Sequence, residues 1–168
     1  MATRKISQGT AIVWGQPSAA GITHNLTFSG LAAAAAREGV KADLGASWDD
    51  DYAVQLIWET GTAPTAGGVV ELWLACSRDN STWPADVTGA DAAWAVTAKA
   101  NLRILVGAIV VPNTANKTVA LNLGIWRPPT RYVTPVVVNN TSQACRVTDP
   151  ASNNTSRVIL VPRVETIA

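Results

Sequence analysis

The sequence predicts an all-β protein, folded as one antiparallel β-sandwich with little helix. Apolar and polar residues alternate with period two along several stretches, as they do in half-buried strands. The separating segments are rich in Gly, Pro, Asn, Asp and Thr, which favour turns. Segments with helix-forming composition are scarce. About eight or nine strands in one domain fit a jelly roll best, with an immunoglobulin-type sandwich as the alternative.

Four long strands are predicted where the alternation is clearest. In each of them nearly every second residue is apolar, so that one face of the strand is suited to a core. In the last of the four, this face runs from Val119 to Ile125 and places Trp126 on the opposite face. The four predicted strands are Tyr52–Glu59, Val69–Ser77, residues 102–111 and Thr118–Trp126.

The remaining elements are shorter. The PNTANK segment at 112–117 predicts a hairpin loop that joins two long strands as an antiparallel pair. The Ala-rich segment 31–38 favours one or two helical turns, or else an extended crossing between sheets, because Gly30 and Gly39 bracket it closely. Shorter strands are predicted at residues 10–14, 24–29, 41–44, 134–140 and 158–162.

Length and composition limit the possible functions. A chain of 168 residues and 17.6 kDa suits one domain with a substantial core. Thirteen basic against twelve acidic residues give a net charge of +1, which argues against nucleic-acid binding. Charged residues make up only 15% of the chain, against about 25% in an ordinary soluble domain. Uncharged strand faces of this kind suit a protein whose sides are covered by other chains.

The sequence contains no stretch with the roughly 20 apolar residues of a membrane span, nor the apolar segment of a signal peptide. We therefore expect a soluble protein, made in the cytoplasm, with no membrane partner. Cys76 and Cys145 lie in apolar, strand-like surroundings, which predicts two reduced, buried thiols rather than a disulfide.

Residues with catalytic or metal-binding potential are few. The single histidine, His24, lies in a strand-like stretch, so neither a catalytic triad nor a zinc site is predicted. The aspartates at 49–51 are the best candidates for calcium, but no EF-hand pattern surrounds them and a solvated turn is the preferred interpretation. Asp86 and Asp91 could form the acid–base pair of a glycosidase, although turn capping is preferred. The sequence thus predicts no enzyme, no catalytic residue, no cofactor and no metal.

The aromatic composition is unusual, with seven tryptophans and one phenylalanine. Strand parity places Trp58 in the core. It places Trp73 and Trp126 on the faces opposite their Val and Leu rows, where they are exposed or face a partner subunit. Aromatic residues among few charges are typical of the centres of protein interfaces. An exposed row of tryptophans would instead indicate carbohydrate binding.

Residues 31–94 contain a distinctive succession of elements. An Ala-rich lead into Arg37 precedes a strand near residues 40–44, an aspartate-containing turn and a long alternating strand. A Thr/Gly loop then leads to VELWLACSRDN at 70–80 and to the turn DVTGADAAW at 86–94, while RYVTPVVVNNTSQA at 131–144 sets a run of valines before an asparagine. This succession, over about half of the chain, resembles a set of small virion proteins of tailed bacteriophages.

The resemblance implies a jelly-roll-like sandwich without catalytic residues that acts as a decoration or cementing subunit on the capsid surface. Its implied partners are further copies of itself, as a trimer, and the major capsid protein, with no nucleic acid and no membrane. The predicted organisation is an N-terminal arm at residues 1–8 and a sandwich domain at 9–168. The alternatives are a tail- or neck-associated virion protein and a carbohydrate-binding module for host attachment. The predicted interface residues are Trp73, Trp126, Arg4 and Lys5.

Overall fold

Twelve strands and a single 3₁₀ helix at Val96–Asn101 make up the regular structure in a computed structural model that describes residues 4–17, 19–102, 104–147 and 155–167. The all-β prediction is confirmed. The strands are β1 Arg4–Gln8, β2 Ile12–Gly15, β3 His24–Asn25, β4 Ala36–Glu38, β5 Ala42–Asp43, β6 Tyr52–Glu59, β7 Val69–Ser77, β8 Ala92–Trp94, β9 Leu105–Val110, β10 Thr118–Trp126, β11 Tyr132–Asn140 and β12 Arg157–Ile167.

The strands form two sheets that pack face to face. Sheet 1 has the order β10-β6-β12-β2-β3, with β1 beside the end of β12. Sheet 2 has the order β8-β4-β11-β7-β9, with β5 beside β11. Every pairing is antiparallel except β2 with β3. Strands from the two ends of the chain are neighbours in both sheets (β2 beside β12, β4 beside β11), so the chain folds back on itself as in a jelly roll.

The main core fills the space between the sheets. Every second residue of β6 points into it, which confirms the predicted alternation and the core position of Trp58. Phe28 packs edge to face on Trp58, with ring centroids 6.2 Å apart. The indole NH of Trp14 donates to the carbonyl of Val40 at 2.6 Å. Burial of each such aromatic side chain contributes about 1.5–3 kcal/mol by removing it from water.

A second, smaller core covers the outer face of sheet 2. The segment that follows β7 wraps over this face, and the 3₁₀ helix lies within it. Trp94 donates from its indole NH to the carbonyl of Ala85 at 2.9 Å, which holds the segment closed. The buried residues of this core are Ala36, Ala75, Val87, Trp94, Leu102, Val136 and Val138.

Two connections can be compared with their predictions from the sequence. The prediction of a hairpin at 112–117 is wrong, because β9 pairs with β7 and β10 pairs with β6. The PNTANK loop crosses from sheet 2 to sheet 1 and is anchored on Thr60, whose hydroxyl donates to the carbonyl of Thr114 at 2.8 Å. The Ala-rich segment crosses between the sheets without a helix: it makes a tight turn at residues 33–34, where Ala34 has a φ of 58°, and ends in β4. Asn139 holds it by donating from its side chain to the carbonyls of Leu31 and Ala32.

The predicted N-terminal arm is a strand where the structure describes it. Residues 4–8 form β1, whose backbone pairs with β12 from Arg4 opposite Ile167 to Gln8 opposite Arg163. Residues 1–3 of the arm lie outside the described residues. The backbone NH of Gly9 then donates to Pro162, which joins the arm to the sandwich.

Candidate assembly surface

One side of the sandwich carries two long strands with free outer edges. Strand β10 ends sheet 1 and β9 ends sheet 2, and no described strand pairs with either outer edge. The two strands face each other across the gap between the sheets, since the side chain of Leu123 reaches Gly107. We call this surface, formed by Leu105–Val110 and Thr118–Trp126, the β9/β10 flank.

The flank combines exposed apolar side chains with a complete lack of charge. Neither strand contains Lys, Arg, Asp, Glu or His. Proteins usually protect long edge strands with such charges, with proline, with bulges or by making the strands short, because a free edge invites pairing with another chain. Of these devices the flank strands have only bulges. Large apolar side chains remain exposed on the flank, namely Leu105 (51%), Val110 (65%), Leu121 (44%) and Ile125 (52%).

Both flank strands contain a β-bulge. The register of β10 against β6 shifts between Asn122 and Gly124, and Gly124 has a φ of 108°. The register of β9 against β7 shifts opposite Leu72 and Trp73. A bulge adds one residue to a strand, so the side chains beyond it turn to the opposite face from the one that alternation predicts.

The bulge in β10 decides the position of Trp126. The prediction that this indole lies outside the core is wrong, because the extra residue turns Trp126 inward and Ile125 outward. Trp126 is 7% exposed and lies opposite Tyr52, with ring centroids 6.1 Å apart. Its side chain is therefore covered by the fold itself.

Trp73 lies on the outer face of sheet 2, as its parity predicts, and is half-buried. The chain's own second core covers part of it. Its indole NH donates to Glu71 at 2.8 Å, and Glu71 also accepts from Lys99 at 3.1 Å. Trp73 lies on the outer face of sheet 2, whereas Trp126 points from sheet 1 into the core between the sheets, so the two indoles do not share a surface.

The other two predicted interface residues are placed by their backbones alone. Arg4 and Lys5 begin β1, opposite Ile167 and Thr166 of β12. This position is in a strand pair at the end of sheet 1, not on the β9/β10 flank.

Asp91 has a structural role. Its carboxylate accepts from the guanidinium of Arg37 and from the backbone NH and hydroxyl of Thr27. Burial alone would raise the pKa of Asp91, but these hydrogen bonds outweigh it and hold the pKa below the ordinary value. Asp86 is exposed, in a turn where its φ is 57°. The partners of Asp91 are 54 and 64 residues away in the chain, so it links the start of β8 to β4 and to the loop after β3 rather than capping its own turn, the preferred interpretation of the sequence.

The aspartates at 49–51 border a polar depression of about 420 Å³. Asp51 is paired with Arg127 at 3.0 Å, and Trp48 and Arg163 also line the depression. Within the described ranges, no group of three or more His, Cys, Asp or Glu residues is arranged to hold a metal ion.

His24 lies in the short edge strand β3, against the side of the main core. Its ring lies 5.4 Å from that of Trp14, and its Nδ1 is 2.9 Å from the Thr23 hydroxyl. Burial lowers the pKa of His24, which favours the neutral ring. These contacts give the imidazole a packing role beside the indole.

The two cysteines are free, which confirms the prediction of reduced thiols. Cys145 is buried, and its Sγ lies 3.4 Å from the hydroxyl of Ser156. Cys76 is only partly buried, but desolvation raises the pKa of its thiol to about 12. At neutral pH this thiol stays protonated, and a protonated thiol is a poor nucleophile.

The main residues that the sequence prediction missed are the exposed apolar side chains of the flank. Their signal in the sequence is two consecutive predicted strands with almost no charge, each containing a glycine, Gly107 or Gly124. A glycine within a strand often marks a bulge or a close approach of backbones.

The fold and this surface define an all-β sandwich with two long, uncharged edge strands, each of which carries a bulge. Among the residues described, no helix is long and apolar enough to cross a bilayer. Comparisons of the chain with protein-family models, with curated proteins and with solved structures return no match.

Proposed function

We propose that this chain is a non-enzymatic structural protein of a tailed-bacteriophage virion that binds and stabilises the capsid as a decoration or cementing protein. The observation that carries the proposal is the β9/β10 flank. Its 15 residues contain no charge, and four large apolar side chains on it are 44–65% exposed. Leu105 and Val110 lie on the outer face of sheet 2, Ile125 on that of sheet 1 and Leu121 on the inner face, so apolar side chains flank both free edges. A long, uncharged edge of this kind invites contact with another chain.

The proposed mechanism is clamping. A rigid sandwich that bridges neighbouring capsomers adds contact area that exists only in the assembled shell, so binding stabilises that state by mass action. Copies of the chain associate on the shell, as a trimer, and contact the major capsid protein. The N-terminal arm at residues 1–8, whose basic residues are Arg4 and Lys5, supplies a second contact.

Copy number in purified virions of the encoding phage tests the proposal. Quantitative mass spectrometry against the major capsid protein should give hundreds of copies per particle if the chain decorates the shell. Six or twelve copies would instead assign it to the tail or neck, the nearest alternative. Absence of the chain from purified virions would contradict both virion roles.

A carbohydrate-binding module for host attachment is a second candidate, supported by two tryptophans beside open depressions. Trp83 borders an apolar depression of about 400 Å³, and Trp48 borders one of about 490 Å³ with Arg78 and Arg131. Pro129 and Thr130 line both. Binding on a bacterial glycan array that is lost in Trp48→Ala or Trp83→Ala, but kept in Val110→Lys, would favour this role.

A further inference from the structure

We infer that the β9/β10 flank is the surface through which one copy of this chain binds a second copy. This inference rests on the proposed structural role and names the partner of its surface. Three features of the described residues support it: the asymmetry between the edges of the sheets, the lack of charge, and the size of the flank.

The edges are protected on one side of the sandwich and open on the other. The edges opposite the flank end in β3 and β8, which are two and three residues long. Such short strands offer few free backbone groups for pairing with another chain. The flank strands have six and nine residues. Long edge strands with exposed apolar side chains are tolerated when another chain covers the edge.

The lack of charge favours an identical partner. A surface that recognises a different protein commonly does so through charges that complement those of the partner. Interfaces between identical copies are more apolar than those between different proteins. The uncharged flank therefore suits contact between copies of this chain, which the proposed role also requires.

The flank is just large enough for a specific contact at the weak end of the range. Nine residues of β10 extend over about 30 Å, since an antiparallel strand rises about 3.4 Å per residue. Two sheets stacked about 10 Å apart, with their outer side chains, give a width of about 15–20 Å. Contact between two such flanks buries about 900–1,200 Å² in total, close to the roughly 1,000 Å² that a specific interface needs.

Two charge insertions on the flank test the inference. Val110 and Ile125 are exposed and lie on the outward faces of their strands, so lysine is tolerated there without entering the core. Val110 lies on the outer face of sheet 2 and Ile125 on that of sheet 1. The double variant Val110→Lys/Ile125→Lys should raise the dissociation constant of self-association more than about tenfold, because pairing of the edges would bring lysines of the two copies close together on each outer face. Ala93→Lys is the matched control, since Ala93 is exposed in β8, at the edge of sheet 2 opposite β9.

The measurement is the mass of the purified chain by light scattering over a concentration series, with thermal melting to verify that each variant is folded. Support requires a wild-type oligomer that the double variant loses and the Ala93→Lys control keeps. A wild-type monomer at all concentrations overturns the inference, and so does an oligomer that survives in the folded double variant. Neither result bears on copy number in virions, so the virion proposal is tested separately.

Discussion

Gly107 of β9 and Leu123 of β10 meet across the open side of the sandwich, where the two sheets share no strand pairing. A Cβ atom on Gly107 would lie 3.0 Å from a Cδ atom of Leu123 and 3.3 Å from its Cβ. The leucine thus fills the space that the missing side chain leaves. This contact closes the core at the flank and holds the two free edges next to each other.

Gly107→Ala should destabilise the fold by about 1 kcal/mol, because the added methyl group forces Leu123 out of its place. Leu123→Ala removes the obstacle, so the two substitutions together should cost less than the sum of each alone, with a coupling of at least about 0.5 kcal/mol. Chemical denaturation of the two single variants and the double variant measures this. Strict additivity would show that the contact does not constrain β9.

Gly124→Ala tests the bulge that sets the register of β10. Nothing lies within 4 Å of a Cβ at this position, but its φ of 108° is one that residues with side chains rarely adopt. We expect a loss of about 1–2 kcal/mol in unfolding free energy from backbone strain alone. Ala120→Ser, at an exposed position of the same strand, should change stability by less than about 0.5 kcal/mol. Equal stabilities of the two variants would contradict the strain.

These bulges also explain which parts of the structure the sequence could predict. Strands β6, β7 and β10 have the bounds that alternation predicts, because side-chain period two follows directly from strand geometry. Alternation places Trp126 on the wrong face, because the bulge between Asn122 and Gly124 turns every later side chain of β10 to the opposite face. Local patterns likewise could not tell a hairpin at 112–117 from a crossing, since sheet membership depends on pairing with the distant strands β6 and β7.

Two ion pairs of different burial should differ in their contribution to stability. Glu59 is almost fully buried, accepts from Arg146, and accepts from the backbone NH of Thr155 at 2.9 Å. Arg146→Ala leaves that carboxylate without its cation and should cost about 2–3 kcal/mol. Arg127→Ala breaks an exposed pair with Asp51 and should cost less than about 1 kcal/mol. Urea unfolding of both variants makes the comparison, and similar losses would contradict it.

The carboxylate of Asp91 should make stability depend on pH in the acid range. Its pKa is below the ordinary value of 3.8 in the folded chain, so the unfolded chain takes up a proton first as the pH falls. The stability that Asp91 contributes is therefore fully present above about pH 4 to 5 and is lost as the pH falls through the folded-state pKa.

Asp91→Asn should lower the unfolding free energy at pH 7 by about 1–3 kcal/mol, because it weakens the hydrogen bonds with Arg37 and Thr27. It should also flatten the dependence of stability on pH below about pH 4. Asp50→Asn, at an exposed position, is the control. A pH series of urea unfolding with the same slope in wild type and Asp91→Asn would remove this residue from the acid response.

The low charge of the chain, 15% against about 25% in ordinary domains, is explained in part by strands such as β9 and β10. If a second copy covers their uncharged edges, as we infer, the residues of these strands are freed from the need for protective charges.

Hydrogen exchange of the backbone amides in Leu105–Val110 and Thr118–Trp126, followed as the protein concentration rises, tests that coverage most directly. We predict that amides of both strands become slower to exchange by at least about tenfold at concentrations where the chain self-associates, while the amides of β3 and β8 do not change. Exchange on the flank that stays fast and independent of concentration would contradict pairing of the flank with a second copy.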